Sequence, residues 1–458
     1  MEIKRVYFAG IGGIGMAALA RYFLSKGLPV AGYDRTESTL TRELADEGCT
    51  VSYLDSMEAV PEPYRNPEGT LVVYTPAVPD ANIPLSFFRA GGFEVRKRAW
   101  VLGHITRATK SLCFSGTHGK TTTSSMAAHI MHTGPAGCEA FLGGIMRGAY
   151  NSNLILDPGT EFSVVEADEY DRSFHQLTPY VAVVNATDPD HLDIYGTEEA
   201  YLESFSHFTE LIRPDGALLM HTGLKFTPRP PQGVRVFTYG RGEGDYSASN
   251  VRVADGRMFF DFTGPRGTIA DIELGVPVDV NIDNATAALA AVDIAGQLTP
   301  ELARAAMASY PGVERRFEFH LRESGPHGRA VIDDYAHHPD EIRRSIESVR
   351  ALYPGRRLTV AFQPHLYSRT RDFAPQFAAA LDLADEVILT DLYPAREQPI
   401  PGVSSKIIFD RLKTPRKSLI RKEDFVDTAK KCNFEILLTL GAGDLSLLVP
   451  ALVQALKK

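Results

Sequence analysis

At 458 residues, with 44% hydrophobic and 23% charged residues, the chain is long enough to build about two to four globular domains. A net charge of −9 argues against wholesale nucleic-acid binding, and the four scattered cysteines, with no CxxC pair, fit reduced thiols and neither a disulfide framework nor a zinc site. No apolar run approaches the roughly 20 residues of a membrane span, and the N-terminus enters a strand at once, so a cytoplasmic protein with no membrane partner is expected.

Three segments follow in chain order, the first covering residues 1–98. Val6 to Ala9 reads as a strand, Gly10-Ile11-Gly12-Gly13-Ile14-Gly15 as a tight turn, and Met16 to Lys26 as a helix. A second strand, Leu28 to Tyr33, ends at Asp34, and a third, Thr70 to Tyr74, leads into Thr75-Pro76. In this β-α-β unit, Gly10, Gly12 and Gly15 let the backbone approach a diphosphate seated on the helix N-terminus. Asp34 is placed to accept hydrogen bonds from a ribose or a neighbouring hydroxyl. The pattern defines the diphosphate of a nucleotide without saying which nucleotide.

The second segment, 99–312, opens with a strand from Ser111 to Phe114, the loop Gly116-Thr117-His118-Gly119-Lys120-Thr121, and a helix from Thr122 to His132. Strands from Phe162 to Val165 and from Tyr180 to Val184 end in polar clusters, where open α/β sheets collect ligands. A helix is expected over 197–211, small antiparallel strands across 223–280, and helices over 281–296 and 300–309. Pro311-Gly312 then punctuates the chain. The third segment, 313–458, alternates again, with strands near 330–332, 358–362, 386–389 and 436–440 and helices over 341–352 and 373–383. The expected fold class is α/β throughout.

The chemistry gathers in a few motifs. Where the strand turns into the helix, the glycine loop's N–H groups and the helix dipole suit the β- and γ-phosphates of ATP. Lys120 adds a point charge, and the Thr121 hydroxyl suits Mg²⁺. Phe114 stands where the general phosphate-loop pattern has its first glycine, so a short variant keyed on Gly116 and Gly119 is required. Glu166, Asp168, Glu169 and Asp171 form a carboxylate cluster after a buried strand. A hard cation prefers such oxygens, and Glu166, which directly follows the strand, is the ligand chosen. A solvated acidic loop reads the same in isolation.

His191, past another strand end, reads as a metal ligand, a general base or a structural histidine. His337 and His338 lie in Asp333-Asp334-Tyr335-Ala336-His337-His338-Pro339, a strand-to-helix turn more polar than helix capping explains. Arg315 and Arg316 follow the punctuation. An arginine there serves either a transferring phosphoryl group or a salt bridge. The basic stretch from Lys406 to Lys431 is interleaved with acids and reads as solvated surface.

Taken together, these motifs resemble the Mur ligases of peptidoglycan synthesis. The resemblance rests on Gly-Ile-Gly-Gly-Ile-Gly-Met at 10–16, Gly-Thr-His-Gly-Lys-Thr-Thr-Thr at 116–123, Glu-Ala-Asp-Glu at 166–169 and Asp-Pro-Asp-His-Leu-Asp at 188–193. Arg-Arg-Phe at 315–317, the turn at 333–339, Phe-Gln-Pro-His at 362–365 and Tyr-Pro-Ala-Arg-Glu at 393–397 extend it to Gly-Ala-Gly-Asp at 441–444. It implies a Rossmann-like UDP-binding domain at 1–98, a central P-loop ATPase-type parallel sheet at 99–312 and a Rossmann-like amino-acid-binding domain at 313–458.

The implied reaction uses ATP and Mg²⁺. The lactyl carboxylate of UDP-N-acetylmuramate attacks the γ-phosphate, and the amine of L-alanine then attacks the resulting acyl phosphate. By the same resemblance, Gly116, Thr117, His118, Gly119, Lys120, Thr121 and Thr122 hold ATP, with Asn281 and Asn284 near its adenine and Arg316 and Asp334 closing onto it. Thr121, Glu166 and His191 bind a pair of Mg²⁺ ions. Gly12, Gly13, Ile14, Gly15, Asp34, Thr75, Pro76 and Arg369 serve the UDP substrate. Lys120, His191, Arg316 and His337 carry the catalysis, His337 beside the incoming amine.

Two departures from the family pattern stand out. Leu366 replaces the first arginine of an Arg-x-x-Arg carboxylate grip, leaving Arg369. No lysine occurs between His191 and Lys225, so the carbamylated-lysine metal ligand of other Mur ligases is absent, as in the alanine-adding branch. A ligase that attaches a whole tripeptide to the same sugar is the alternative.

Overall fold

The computed structural model describes residues 3–190, 192–254, 256–323, 325, 328–395 and 397–457. Three sheets organise them. The first has five parallel strands in the spatial order Thr50–Ser52, Val30–Tyr33, Arg5–Ala9, Thr70–Tyr74, Glu94–Lys97. Strand order reverses beside Arg5–Ala9, so its C-terminal end and that of Thr70–Tyr74 flank the crevice where such sheets take ligands. Val6, Tyr7, Phe8 and Ala9 are all buried, as a parallel strand covered on both faces requires.

The second sheet has ten strands. Its parallel centre runs Arg235–Arg241, Ala217–His221, Val181–Val184, Lys110–Ser115, Phe162–Glu166, Glu139–Met146, with Ser152–Leu156 antiparallel at the edge. The expectation of antiparallel strands across 223–280 is corrected for the strand Arg235–Arg241 and its neighbours. Arg235–Arg241 pairs in parallel with both Ala217–His221 and Tyr246–Ala254. Short apolar alternation marks a half-buried strand but carries no direction, which the neighbouring strand supplies.

The third sheet has the order Glu318–Arg322, Ala330–Asp334, Ile436–Leu440, Leu358–Phe362, Glu386–Leu389, Lys417–Leu419. Only the pairing of Glu318–Arg322 with Ala330–Asp334 is antiparallel. The α/β class is thus borne out.

Two compact units result. One comprises Met1–Asn250, Phe260–Ile272 and Asp283–Tyr310; the other comprises Val251–Phe259, Glu273–Ile282 and Pro311–Lys458. In the first unit, Phe8, Met16 and Leu19 share one apolar core with Val165, Phe174 and Phe205, and the helix Arg98–Ala108 adds Val101, Leu102 and Ile105 to it. Residues on both sides of position 98 therefore bury a common core. The second unit has its own, including Val331, Ala361, Ile388, Leu437 and Val449. No described helix is long and apolar enough to cross a membrane.

Candidate active site

The strand Lys110–Ser115 feeds the glycine loop, and the helix Lys120–Thr133 begins at Lys120 itself, two residues before the expected start. Gly116 has φ +129°, and a Cβ there would stand 2.7 Å from the Ala186 nitrogen. Gly119 has φ +81°, and a Cβ would meet Asn284 Oδ1 at 2.6 Å. Only glycine suits either place. No side chain caps this helix, so its first amides are presented to an anion.

The neighbouring strand end braces the loop. Thr117 N donates to Ala186 O (3.0 Å), and the Thr117 hydroxyl meets Asp188 O (2.6 Å) and the Tyr201 hydroxyl (2.8 Å). His118 Nε2 lies 3.9 Å from Asp188 Oδ2. Thr122 sits in the first helical turn. Asn284 Oδ1 accepts from the buried Thr123 hydroxyl (3.1 Å), and Asn281, on the same helix Val280–Ile294, donates to Val276 O (3.2 Å).

The acidic cluster resolves into separate jobs. Glu166 accepts from Gly143 N (3.0 Å) and from the Thr121 hydroxyl. Burial raises its pKa, while Lys120 and then Thr121 pull it back. Glu169, 1% exposed, holds Lys120 Nζ at 2.8 Å. Asp168 stands 3.8 Å from Arg98 Nη2, and Asp171 binds Lys97 Nζ at 2.8 Å. Thr121 and Glu166 thus offer adjoining hard oxygens beside the anion-binding amides, a donor set that fits Mg²⁺.

At the first glycine turn, Gly10 (φ +87°) abuts Thr75, whose methyl would lie 2.6 Å from a Cβ at Gly10. Asp34, expected to accept from a ribose or a neighbouring hydroxyl, accepts two backbone donors here. Its Oδ2 takes the Gly12 N–H at 2.8 Å and Oδ1 takes Thr36 N at 3.3 Å, so it braces the turn. Gly13 is the N-cap of the helix Ile14–Ser25, again with no side-chain cap. Arg98 packs against Gly15, its Nη1 2.6 Å from where a Cβ would be. That places a cation at this helix N-terminus. Pro76 lies in the loop after the strand Thr70–Tyr74.

In the second unit, Asp334 ends the strand Ala330–Asp334 and accepts from Phe317 N (3.3 Å) and from the Ser345 hydroxyl. Burial raises its pKa, against the Ser345 hydrogen bond and the Arg316 charge. His337 Nδ1 contacts Tyr335 O (3.0 Å) and lies 3.4 Å from Glu341 Oε2. Burial lowers its pKa; Glu341 opposes this, and Arg369 and Arg316 add to it. The imidazole is therefore held neutral at neutral pH.

Arg369 Nη1 is buried without a hydrogen-bond partner among the described residues, and Leu366, at the N-cap of the helix Tyr367–Leu381, takes φ +70°. Arg316, Asp334, His337 and Arg369 thus lie within electrostatic reach of one another. Arg315 behaves differently from its neighbour. Its Nη2 donates to Gly443 O (3.0 Å) and to Gly441 O, and both guanidiniums lie over the Tyr335 ring, at 4.8 and 5.3 Å.

The sequence placed Glu169 in the acidic cluster without its partner, and three further features escaped it. Glu169 turns to Lys120, Arg98 lies against the first glycine turn, Glu341 lies against His337 in the second unit, and the hairpin of Glu139–Met146 and Ser152–Leu156 brings Gly143 to Glu166. The one available signal was the Gly143-Gly144 pair between apolar runs. His191 lies outside the described residues.

A phosphate-type glycine loop on a parallel sheet, with a hydroxyl, a carboxylate and an ammonium around it, defines a nucleotide-binding α/β protein. Comparison narrows this. The model of the Mur ligase family, catalytic domain, matches residues 5–110; that of the Mur ligase middle domain matches 114–292; and that of the Mur ligase, glutamate ligase domain, matches 315–452. The UDP-N-acetylmuramate–L-alanine ligase of Phocaeicola vulgatus is 53% identical over 100% of this chain and 99% of its own. The enzyme of that name from Parabacteroides distasonis is 54% identical, over 100% and 98%. The crystal structure of UDP-N-acetylmuramate-alanine ligase from Thermotoga maritima superposes with a TM-score of 0.81 at 27% identity, covering 99% of each chain. This chain belongs to the Mur ligase family.

Proposed function

We propose that this chain is an ATP-dependent ligase joining L-alanine to the lactyl carboxylate of UDP-N-acetylmuramate in peptidoglycan precursor synthesis. One observation carries this reading: relatives of that name match the chain end to end at 53% and 54% identity. A carboxylate oxygen attacks the γ-phosphorus and ADP leaves; the alanine nitrogen then attacks the acyl carbon and phosphate leaves. The product is an amide.

Each residue has a physical task. The first step brings two anions together, and the Lys120 ammonium and the amides of the loop offset their repulsion. Arg316 acts on the same developing charge. Thr121 and Glu166 would hold Mg²⁺, which supplies further neutralisation of phosphate oxygens, with His191 serving a second ion. Asn281 and Asn284 serve the adenine. The first glycine turn, with Thr75 and Pro76, serves the UDP diphosphate, and Arg369 serves a carboxylate. His337, held neutral, accepts a proton as the amine attacks. Residues 1–98, 99–312 and 313–458 divide these tasks among UDP-sugar, ATP and amino acid. The reaction belongs to the cytoplasm, where ATP is available.

The test is release of inorganic phosphate. It is expected only when ATP, UDP-N-acetylmuramate and L-alanine are all present with magnesium. Release driven better by a tripeptide than by L-alanine would replace this reading with the recycling one.

A further inference from the structure

Lys120 Nζ donates to Gly116 O at 2.7 Å and to Glu169 Oε1 at 2.8 Å, engaging two of the three donors of an ammonium. Glu169 is no surface acid that happens to lie nearby. Its carbonyl is pinned by the buried Tyr195 hydroxyl (2.6 Å), Tyr195 meets Tyr201 edge-on at 5.0 Å, and Tyr201 contacts the loop residue Thr117. The carboxylate is therefore built into the wall of the loop. Burial raises its pKa, and the Lys120 charge lowers it again.

Burying a carboxylate is costly, and a glutamine of the same shape would hydrogen-bond with a smaller desolvation penalty. The charge bears on Lys120, the ammonium of the phosphate loop. Resting on the ATP reading above, we infer that Glu169 is a positioning residue that competes with nucleotide phosphate for the Lys120 ammonium. Glu169 orients the Lys120 ammonium along the loop, and phosphate oxygens must displace that carboxylate to gain it. Nucleotide affinity is then reduced by the fraction of time that Lys120 stays with Glu169. Glu166 also feels the Lys120 charge, but the direct bond from Lys120 goes to Glu169, and Glu166 accepts from Thr121 and Gly143 instead.

The experiment compares wild type, Glu169→Gln and Glu169→Asp by thermal unfolding and by calorimetric titration with ADP and ATP, each with magnesium and without the other substrates. Glu169→Gln is expected to melt lower alone, yet to gain more from nucleotide, with Kd at least about fivefold lower than wild type. Glu169→Asp, with its carboxylate withdrawn by one methylene, should fall between them, and it answers the question if the glutamine variant does not fold. A merely structural glutamate predicts a lower melting temperature and a nucleotide gain equal to or smaller than that of wild type. That result overturns the inference while leaving the ligase reading intact. A wild-type chain that gains nothing from either nucleotide overturns both.

Discussion

The first unit builds the loop 116–121 at one contiguous junction, whereas the second gathers its charged groups from separate ends of strands and helices. The strand Lys110–Ser115 passes directly into the helix Lys120–Thr133, and glycines at 116 and 119 shape the backbone between them. In the second unit, Arg316 precedes the strand Glu318–Arg322, Asp334 ends Ala330–Asp334, His337 precedes the helix Pro339–Leu352, and Arg369 opens the helix Tyr367–Leu381. At the loop, one side chain can be removed and the backbone cradle survives. In the turn cluster, burial shifts Asp334 and His337 most, and the charges of Arg316 and Glu341 act on both, so removing one alters more than one group.

The largest effect should separate cradle from charge. Lys120→Ala is expected to cut turnover by at least about 10³-fold in the phosphate-release assay. It also strands the buried Glu169 carboxylate, so the melting temperature should fall by several degrees. Adding Glu169→Gln should recover stability without recovering turnover. A double variant that turns over normally would take Lys120 out of the chemistry.

Next in size is the coupling within the cluster. Arg316→Ala should lower kcat about 10²- to 10³-fold and also move a pH profile. The Arg316 charge is one of the influences holding the His337 pKa down, behind burial and Arg369. Without it, the imidazole protonates more readily, its pKa rises, and the acid limb of the rate profile shifts to higher pH. Arg316→Lys keeps the charge and should leave that limb in place. An unmoved limb in the alanine variant would dissociate His337 from Arg316.

The same contrast explains what could be read before folding. The loop was legible because strand, glycines, lysine and helix are consecutive, so local rules suffice. Glu166 was legible because it ends a strand beside the loop's own strand. Glu169, three residues on, was not: its aim at Lys120 depends on the kinked turn at Asp171 and Arg172, both at positive φ. Asp34 was read for its position at a strand end, but its bond to Gly12 N depends on how closely turn and strand approach. The direction of Arg235–Arg241 was misread because two-residue periodicity is the same for parallel and antiparallel pairing.

The smallest effect concerns stability rather than turnover, on the far part of the loop helix. His129 is buried between the Tyr150 hydroxyl (2.6 Å from Nδ1) and the Ser309 hydroxyl (3.0 Å from Nε2), with His132 and Asp157 the nearby charged groups. Burial lowers its pKa from 6.5 to about 4, against a hydrogen bond from the imidazole to the Ala306 backbone carbonyl. Because the folded value lies below the unfolded one, the unfolded chain binds the proton first. Stability from this residue is complete above pH 6.5 and declines as pH falls towards 4, by at most about 3 kcal/mol. His129→Gln, which keeps one donor and one acceptor, should cost about 1 kcal/mol at pH 8 but flatten that acid decline, as read by urea unfolding across the window. An equally steep decline in the variant would assign the acid sensitivity to other groups. The fold would then owe its acid limit to carboxylates held below their ordinary range, Glu341 and Asp444 among them, and not to the helix that carries the loop.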